Sequence, residues 1–530
     1  TPEANTTKEQ EATTATILTP EANTTKEQEA TTATILIPEA DATKERGSRR
    51  VRRDDTPDAT TPIATAAPST QWCHSDVLAQ IRRESLAAIR ADVAPVPTDT
   101  FARFLTNWQH VSGPDRLRGI DGVASVIDQL AGYPLPASAW ESLILPSRIT
   151  DYSPTMLDEL LSSGEVVWAG HGRIGGADGL ISLHPADIAP VTLAPPTDID
   201  TTAVHDRLRE ILAPGGALRF GQLTEHLDTS ESETETALWD LVWAGEISND
   251  SFVPVRALLS PRRTATQRAA TPAHRGRGRA PRLRASRLST RYLGEQSLSR
   301  PASPTAGGRW YLAVRHTPAT AADSTVVTQT VCELLLSRYG VVTKGSVMTE
   351  GVEGGFSRIY KALHVFEDSG QVRRGYYVDG LGGAQFASPA TVDELRSHTD
   401  DDRSKKAPEA VVLAACDPAN PYGAALVWPS AEGHRPGRKP GALVVLFDGR
   451  PVVFVERGGK TVLTFSDDDS TIRAAADALA TTVRSGRVER LTIDHIDGHP
   501  SLRTLLGQAL VDAGFATTPR GIRLRYGTHA

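Results

Sequence analysis

The feature that most constrains the fold is a succession of predicted helices and short strands that occurs three times along the chain. Each copy reads as helix, turn and helix, then a third helix that ends at a glycine and is followed by two short strands. These glycines are Gly164, Gly245 and Gly370, and glycine commonly follows the last turn of a helix. Three helices followed by a short hairpin predict a winged-helix domain. We expect such domains, the first after a helical lead-in, within 72–198, 199–260 and 309–400.

Short strands dominate the chain after residue 401. Apolar runs such as AVVLAA, AALVWP and ALVVLF are separated by Gly/Pro turns over 401–470, which predicts a small β-barrel. From 471 to 530 the pattern alternates between helices and strands and predicts an α/β cap on that barrel. The expected fold class is α+β, with tandem winged helices followed by the barrel and its cap.

Two stretches have compositions that do not predict a packed core. Residues 1–18 recur unchanged at 19–36 with Ile and Leu as their only bulky apolar residues, and we expect 1–71 to be a disordered linker. We also expect a disordered tether over 261–308, because 261–300 hold eleven arginines against the single acid Glu295. The tether either neutralises DNA phosphates or is a solvated spacer, and the sequence leaves both open.

Composition excludes several classes of protein. The net charge of −7 does not indicate any particular class of binding partner. No run of apolar residues approaches the roughly 18 residues of a membrane helix. Cys73, Cys332 and Cys416 are far apart, which excludes a disulfide framework and a cysteine-based zinc site. No signal-peptide pattern is present, so we expect a cytoplasmic, nucleoid-associated protein. Because the chain begins with Thr, we also expect it to be the back part of something longer.

Two motifs that suggest ligands are better explained as turns. The string RGGKT at 457–461 ends like a phosphate loop, but the position that needs the first glycine is Phe454, inside a predicted strand. His495, Asp497 and His499 lie in a Gly/Pro loop, which lacks the helical geometry of a zinc motif. There is no other GK[ST] string and no DEAD or DEAH box. We therefore expect this chain to hold no ATP motor, no cofactor and no metal.

Charge separates the third copy from the first two. Arg358 and Lys361 share one helical face in the third copy. Its wing begins with Arg373 and Arg374 and continues into Tyr376, which can stack on bases or sugars. The alternative is that this wing packs on the barrel. In the first two copies the third helices carry acids, which repel phosphates, so these domains are expected to be packing scaffolds. The acids are Asp158, Glu159, Glu231, Glu233, Glu235 and Asp240.

Two further basic segments follow the third copy. A Gly/Pro turn carries His434 and three neighbouring cations, and the last strand carries three arginines that include Arg525. We therefore expect DNA, single-stranded or with a single-stranded region, as a partner. The predicted DNA contacts are Arg358, Lys361, Arg373, Arg374, Tyr376, Arg435, Arg438, Lys439, Arg520 and Arg523.

Several long stretches between residues 72 and 530 are distinctive. They are DVLAQIRRESLAAIR, QLAGYPLPASAWESLILPSRITDYSPTMLDELLSSGEVVWAG, LWDLVWAGEISND, GGFSRIYKALHVFEDSGQVRRGYYVDGLGGAQF, DPANPYGAALVWP, HRPGRKPGALVVL and TPRGIRLR. Together they resemble the C-terminal region of the large helicase-related (Lhr) DNA helicases of bacteria. The repeats at 1–71 and the arginine-rich tether are not part of the resemblance.

The resemblance implies a function in DNA repair. Members of the family carry an ATP-dependent core of two RecA-like domains, and their C-terminal region forms oligomers. That region resembles tandem winged helices with a β-barrel and is similar in fold to winged-helix DNA glycosylases. For this chain the resemblance implies a DNA-binding, homo-oligomeric module without its motor. The helicase core is then expected on the same gene or on a neighbouring chain.

Two alternatives of different classes remain open. In the first, the module is an ATP-independent DNA glycosylase, which needs a carboxylate or amide beside a flipped base. The candidates are Asp417, on the turn DPANPYG, and Gln385, in GLGGAQF, although Asp before Pro is also a common turn former. In the second, the module is a pure assembly platform and leaves DNA contact to the motor.

Overall fold

The computed structural model describes most of the chain outside its N-terminal region and the arginine-rich segment. The described residues are 76–77, 80–84, 94–113, 116–260, 303–314, 321–399, 408–431 and 434–527. The chain divides into two units, Thr1–Ile89 and Arg90–Ala530. The predicted linker at 1–71 and the core of the predicted tether, 261–300, lie outside the described residues. Among the residues described, no helix is both long enough and apolar enough to span a membrane.

The first winged helix is built around a bent helix that we call the junction helix, residues 137–148. It consists of Ala137–Ala139, a π-helical turn at Trp140–Ile144, and Leu145–Arg148. The buried Trp140 indole donates to the Ile181 carbonyl at 2.8 Å and thereby fixes the helix to the wing. The other elements are α2 (Gly119–Gln129), β1 (Leu135–Pro136), α3 (Pro154–Ser163), β2 (Val166–Gly175) and β3 (Asp178–Pro185). Helix α3 ends at Gly164 in the left-handed conformation, as predicted.

Helix α1, Thr98–Trp108, precedes this domain in the chain but packs elsewhere. Its buried Phe101 and Phe104 belong to the apolar cluster of the third winged helix. Val96, just before the helix, forms a parallel bridge with Val378 beside the third wing. The sequence grouped these residues with the first domain because they are adjacent in the chain, whereas the structure uses them to close the third.

The second winged helix is interrupted by the arginine-rich segment. Its last strand, β6 (Arg309–Leu312), lies between β4 (Leu218–Arg219) and β5 (Ile247–Asn249) in a three-stranded sheet. The sequence analysis assigned Arg309–Leu312 to the third domain. Because this strand belongs to the second domain, the arginine-rich segment is an insertion within the second domain and not a tether between two domains. The helices of the second domain are α4 (Ala203–Leu212), α5 (Phe220–Thr224), α6 (Glu231–Trp243) and α7 (Val253–Leu259).

The third winged helix follows the predicted order closely. Thr343 caps the second helix by accepting a hydrogen bond from the Ser346 amide at 3.1 Å, and Gly370 follows the third helix in the left-handed conformation. The wing is a short antiparallel pair. The elements are α8 (Ala321–Tyr339), α9 (Lys344–Thr349), α10 (Gly355–Asp368), β7 (Arg373–Gly375), β8 (Gln385–Ala387) and α11 (Pro389–Ser397).

The predicted β-barrel is wrong, because the strands after residue 408 form an open sheet. Its order is β15–β14–β12–β11–β10–β9, and within the described residues the two edge strands do not pair with each other. AALVWP, expected as a strand, is a turn with one isolated bridge, Tyr422 to Leu426. The strands are β9 (Ala410–Ala414), β10 (Leu443–Phe447), β11 (Arg450–Val455), β12 (Thr461–Thr464), β14 (His495–Ile496) and β15 (His499–Pro500).

The sheet stays open because both of its faces are covered. Val445 packs in one apolar cluster with helix α12 (Asp469–Arg484), while its neighbour Val444 packs on the opposite face in the cluster of the third winged helix. Strands buried on both faces carry continuous apolar runs, whereas a barrel strand alternates between an inner and an outer face. The run LVVLF has this continuous character.

The α/β cap is present at the end of the chain. A three-stranded sheet consists of β13 (Arg490–Ile493), β17 (Gly521–Arg525) and β16 (Ala516–Thr518), with β17 in the middle. Its inner face packs on α12 and on α13 (Leu505–Asp512) through buried residues such as Ile522 and Leu524. The outer face is open to solvent.

Replacing residues 262–301 by ten Gly/Ser residues is expected to leave the free energy of unfolding unchanged or to raise it by about 1 kcal/mol. Both ends of this segment lie on the second winged helix, where α7 packs against Pro304–Ala306, and a shorter loop costs less entropy to close. Denaturant unfolding followed by circular dichroism measures the change. A control deletion that extends through Leu312 removes β6 and should unfold the domain. Equal destabilisation by both deletions would contradict the insertion.

Candidate nucleic-acid interface

The outer face of the cap sheet carries exposed arginines on adjacent strands. Arg490 on β13 lies directly opposite Arg525 on β17, and Arg523 projects from the same face two residues earlier. The other strand residues of this face are Thr492, Ala516 and Thr518, none of which is acidic. Exposed guanidinium groups on neighbouring strands, such as those of Arg490 and Arg523, can bind the same phosphate.

Two of the predicted DNA contacts belong to this face or to its edge. Arg523 lies on the face, and Arg520 is exposed in the hairpin between β16 and β17. Arg490 was missed by the sequence analysis. The alternation in RVERLTI could have found it, because Leu491 and Ile493 point to the core and their neighbours must therefore point outwards.

The third winged helix presents fewer available cations than its sequence suggests. Lys361 on α10 is exposed, but Arg358 donates from Nε and Nη2 to the Thr328 hydroxyl at 3.0 and 2.7 Å. Arg358 also lies 3.7 Å from a carboxylate oxygen of Glu353. Helix α10 therefore offers Lys361 to a ligand, while Arg358 is used to hold α8 against α10.

The wing of this domain is also partly committed to its own fold. Arg374 donates to the Tyr360 hydroxyl and lies 3.9 Å from Glu367, while Arg373 is half-buried. Tyr376 is 39% exposed, although its hydroxyl donates to Asp379 at 2.7 Å. The ring of Tyr376 therefore remains accessible for stacking, and of the two wing arginines Arg373 is the less constrained.

In the basic turn at 434–439, some of the cationic side chains are exposed to solvent and one points into the protein. Arg435 is exposed, and Lys439 donates to Glu456 at 3.1 Å. Arg438 points inwards, where its Nη2 donates to the carbonyls of Cys416 and Asp417, each at 3.0 Å. Arg438 therefore closes the turn that contains Asp417, and only Arg435 and Lys439 can reach an external phosphate.

The acids of the first two domains hold those domains together. Arg256 on α7 donates to Glu141 at 2.6 Å and to Asp158 at 2.7 Å, so one guanidinium joins the second domain to the first. Asp240 on α6 accepts from Arg173 on β2 at 2.8 Å. A side chain at Gly170 of β2 would collide with the backbone of α6, so glycine allows this close approach. These contacts favour the predicted role of both domains as scaffolds.

The other predicted acids lie at the ends of their helices or face solvent. Glu231 and Glu233 occupy the first turn of α6, where the helix dipole favours negative charge. Glu235 accepts from the Thr305 hydroxyl, and Glu159 is exposed on α3.

Gln385, a candidate catalytic residue, is completely buried and fully hydrogen-bonded. Its Oε1 accepts from the amides of Tyr377 and Val378 at 3.0 and 2.9 Å. Its Nε2 donates to the carbonyls of Val378 and Gly382 at 2.9 and 2.8 Å. All four of its hydrogen-bonding positions are thus used to fix the wing loop, which gives Gln385 a structural role.

Asp417, the other candidate, forms a buried ion pair with Arg148 of the junction helix. Arg148 donates from Nη2 and Nη1 to the two carboxylate oxygens at 2.7 and 3.0 Å, and both side chains are at most 1% exposed. Arg148 also donates to Gln109 Oε1, and the amide of Gln109 donates to the Arg338 carbonyl. These bonds join the junction helix, the end of α1, the third winged helix and the turn before β10. Asp417 therefore anchors the assembly of domains.

Replacing Asp417 by Asn or Arg148 by Met is expected to lower the free energy of unfolding by about 3–5 kcal/mol, since each leaves a buried group without its partner. The double replacement Arg148→Met, Asp417→Leu should recover most of this loss. Denaturant unfolding of the four proteins measures the coupling. As a control, removing either partner of the exposed pair Arg207–Glu210 should change stability by less than about 1 kcal/mol. Additive losses in the double variant would contradict the coupling.

Comparisons with known proteins agree with this architecture. A family model described as large helicase-related protein, winged-helix domain, matches residues 96–186, and a second model of the same description matches 321–407. The two matches fall on the first and third winged helices.

Two curated relatives extend the similarity to most of the chain. The Lhr helicase/probable uracil glycosylase of Mycolicibacterium smegmatis is 51% identical over 467 residues, which are 86% of this chain and 30% of that protein. The Lhr helicase/uracil glycosylase of Escherichia coli is 34% identical over 477 residues, which are 85% of this chain and 30% of that protein. The chain thus spans less than a third of the length of these relatives. On the strength of both winged-helix matches and both relatives, the chain belongs to the large helicase-related (Lhr) family and corresponds to its C-terminal region.

Proposed function

We propose that this chain is the DNA-binding, oligomer-forming C-terminal module of an Lhr-type helicase that acts in DNA repair in the cytoplasm. The observation that carries DNA binding is the outer face of the cap sheet, with Arg490, Arg523 and Arg525 on neighbouring strands and no acid among the strand residues of that face. Extended sheet faces with cations suit an unpaired strand, whose phosphates they can follow. Oligomer formation rests on the family resemblance.

The third winged helix supplies a second point of contact in this proposal. Lys361 and Arg373 provide cations, and the accessible ring of Tyr376 provides a stacking surface. Arg435 and Lys439 form a smaller basic point on the turn before β10. Helicase activity requires the ATP-dependent core that the family resemblance implies, and we propose that this core is supplied outside the present sequence.

Replacing Arg490, Arg523 and Arg525 together by Ala is expected to weaken binding to single-stranded DNA about equally for all sequences. It should also reduce the slope of log K against log salt by roughly 2, because each lost phosphate contact contributes about 0.7. Fluorescence anisotropy over a range of salt concentrations measures both quantities. The control replaces three exposed arginines elsewhere, Arg207, Arg473 and Arg503, with the same change in net charge. Equal effects in both triple variants would contradict a dedicated face, and no binding by the unaltered chain would favour an assembly platform.

A second candidate function is removal of uracil from DNA. It is favoured by the names of both relatives, each of which includes uracil glycosylase, and by a cleft between the junction helix and the end of the open sheet. Such a reaction is hydrolytic and needs no ATP, because extrusion of the base is driven by binding.

The chain is accordingly expected to form abasic sites in uracil-containing DNA without ATP or a divalent metal. A labelled oligonucleotide treated with alkali after incubation reports these sites as strand breaks. Thymine-containing DNA of the same sequence is the control. The absence of breaks in uracil-containing DNA would contradict this candidate and leave DNA binding unaffected.

A further inference from the structure

A cleft of about 210 Å³ lies between the junction helix and the end of the open sheet. Ser142 and Leu143 form one wall, and the other is formed by the turn at Gly458 and Gly459 together with four residues near the start of the cap, Arg487, Val488, Arg490 and Leu491. The cleft is smaller than the ~300–1,000 Å³ of sites for drug-sized ligands, so its size suits a single base. Its lining is mostly apolar, and its charged residues are Glu456, Arg487 and Arg490, the last of which also belongs to the outer face of the cap sheet.

Arg487 is half-buried in surroundings that disfavour its charge. Its Nη2 donates to the Leu143 carbonyl at 3.3 Å, whereas its buried Nε–H has no hydrogen-bond partner within the described part of the chain. Burial and the nearby guanidinium of Arg116 lower the pKa of Arg487 to about 10, which still leaves it charged at neutral pH. A half-buried cation whose buried Nε–H is unused, placed at the wall of a cleft, is suited to stabilise negative charge on a ligand.

Glu456 provides a negative charge on the same cleft. Burial alone would raise its pKa, but hydrogen bonds from His434 and Lys439 hold the pKa below its usual value, so the carboxylate stays ionised. Lys439 donates to Oε1 at 3.1 Å, and His434 bonds Oε2. Each carboxylate oxygen has a second lone pair, so Glu456 can still accept a hydrogen bond from water.

We propose that this cleft receives a uracil base extruded from DNA, with Arg487 stabilising the leaving base and Glu456 activating water. The inference rests on the second candidate function and assigns its site. The bond between C1′ of the sugar and N1 of uracil breaks, and its electron pair stays on N1. The water oxygen bonds to C1′, and Glu456 accepts the proton that this water loses. That proton then passes to the uracil anion, so the products are an abasic sugar and neutral uracil.

The two residues have separate tasks in this scheme. Negative charge develops on the ring carbonyls of uracil as the bond breaks, and the guanidinium of Arg487 lies in a site of low polarity where this stabilisation is strong. Positive charge develops on the sugar. The ionised Glu456 stabilises this charge and also orients the water. This arrangement accounts for a guanidinium whose Nε–H is unbonded and which lies near the like charges of Arg116 and Arg148.

The test uses Arg487→Met in the full chain with uracil and 5-fluorouracil substrates. Fluorine withdraws electrons and makes the base a better leaving group, so it needs less help from Arg487. We expect the rate of uracil release to fall by about 10²–10³-fold and that of 5-fluorouracil to fall much less. The melting temperature should stay equal or rise, because a half-buried charge in unfavourable surroundings is removed. Arg487→Lys, which keeps a positive charge, should recover part of the rate.

Glu456→Gln provides the second arm. It should lower the rate by about 10²–10⁴-fold for both substrates, whereas DNA affinity should stay equal or rise, because Lys439 is released from Glu456. Arg503→Met and Glu489→Gln, at exposed positions of the same part of the chain, are matched controls and should retain full activity.

The possible outcomes distinguish an error in the assigned cleft from an error in the proposed glycosylase function. Release of uracil that is unaffected by both cleft variants would overturn the assigned site and leave the glycosylase function intact. Equal losses on uracil and 5-fluorouracil with a lowered melting temperature for Arg487→Met would show a structural role for Arg487 and also overturn the proposal. No release by the unaltered chain would overturn both the function and the site.

Discussion

The arrangement of domains depends on the buried ion pair between Arg148 and Asp417. Taking two charges out of water is expensive, and the structure offsets this with two direct hydrogen bonds and with further bonds from Arg148 to Gln109 and from the Ala419 amide to Asp417. Because the partners are 269 positions apart in the chain, the pair forms only when the first domain and the sheet are both folded and docked. It therefore couples the stability of one part to that of the other.

The open sheet connects the ion pair to the two surfaces for which we propose functions, the outer face of the cap and the cleft at Arg487. One of its faces packs on α12, which also supports the cap, and the other packs on the third winged helix and α1. The cap face with Arg490 and Arg523 is consequently held in a fixed position relative to the cleft at Arg487. A strand of DNA bound on the cap as proposed would lie close to the cleft, because Arg490 belongs to the outer face and also lines the cleft.

Arginines serve three different purposes in this molecule, and their sequence contexts do not distinguish them. Arg438 and Arg338 donate to backbone carbonyls in the interior, Arg256 joins two domains, and Arg523 faces solvent. The planar guanidinium with its five donors can satisfy several carbonyls at once, so it is well suited to domain junctions as well as to phosphates. Counting basic residues along the chain therefore overestimated the cations available to DNA in the turn at 434–439 and at Arg358.

The sequence alone determined the elements that depend on local periodicity and capping. The winged-helix order, the helix ends at Gly164 and Gly370 and the alternating helices and strands of the cap follow from contacts within a few residues, so they could be predicted. Only the tertiary structure decided which elements pack together. It moved α1 to the third domain, returned Arg309–Leu312 to the second, opened the predicted barrel, and buried Asp417 and Gln385 as anchors. Each of these outcomes depends on partners far away in the chain, and a hydrophobic pattern records that a residue is buried but not what it is buried against.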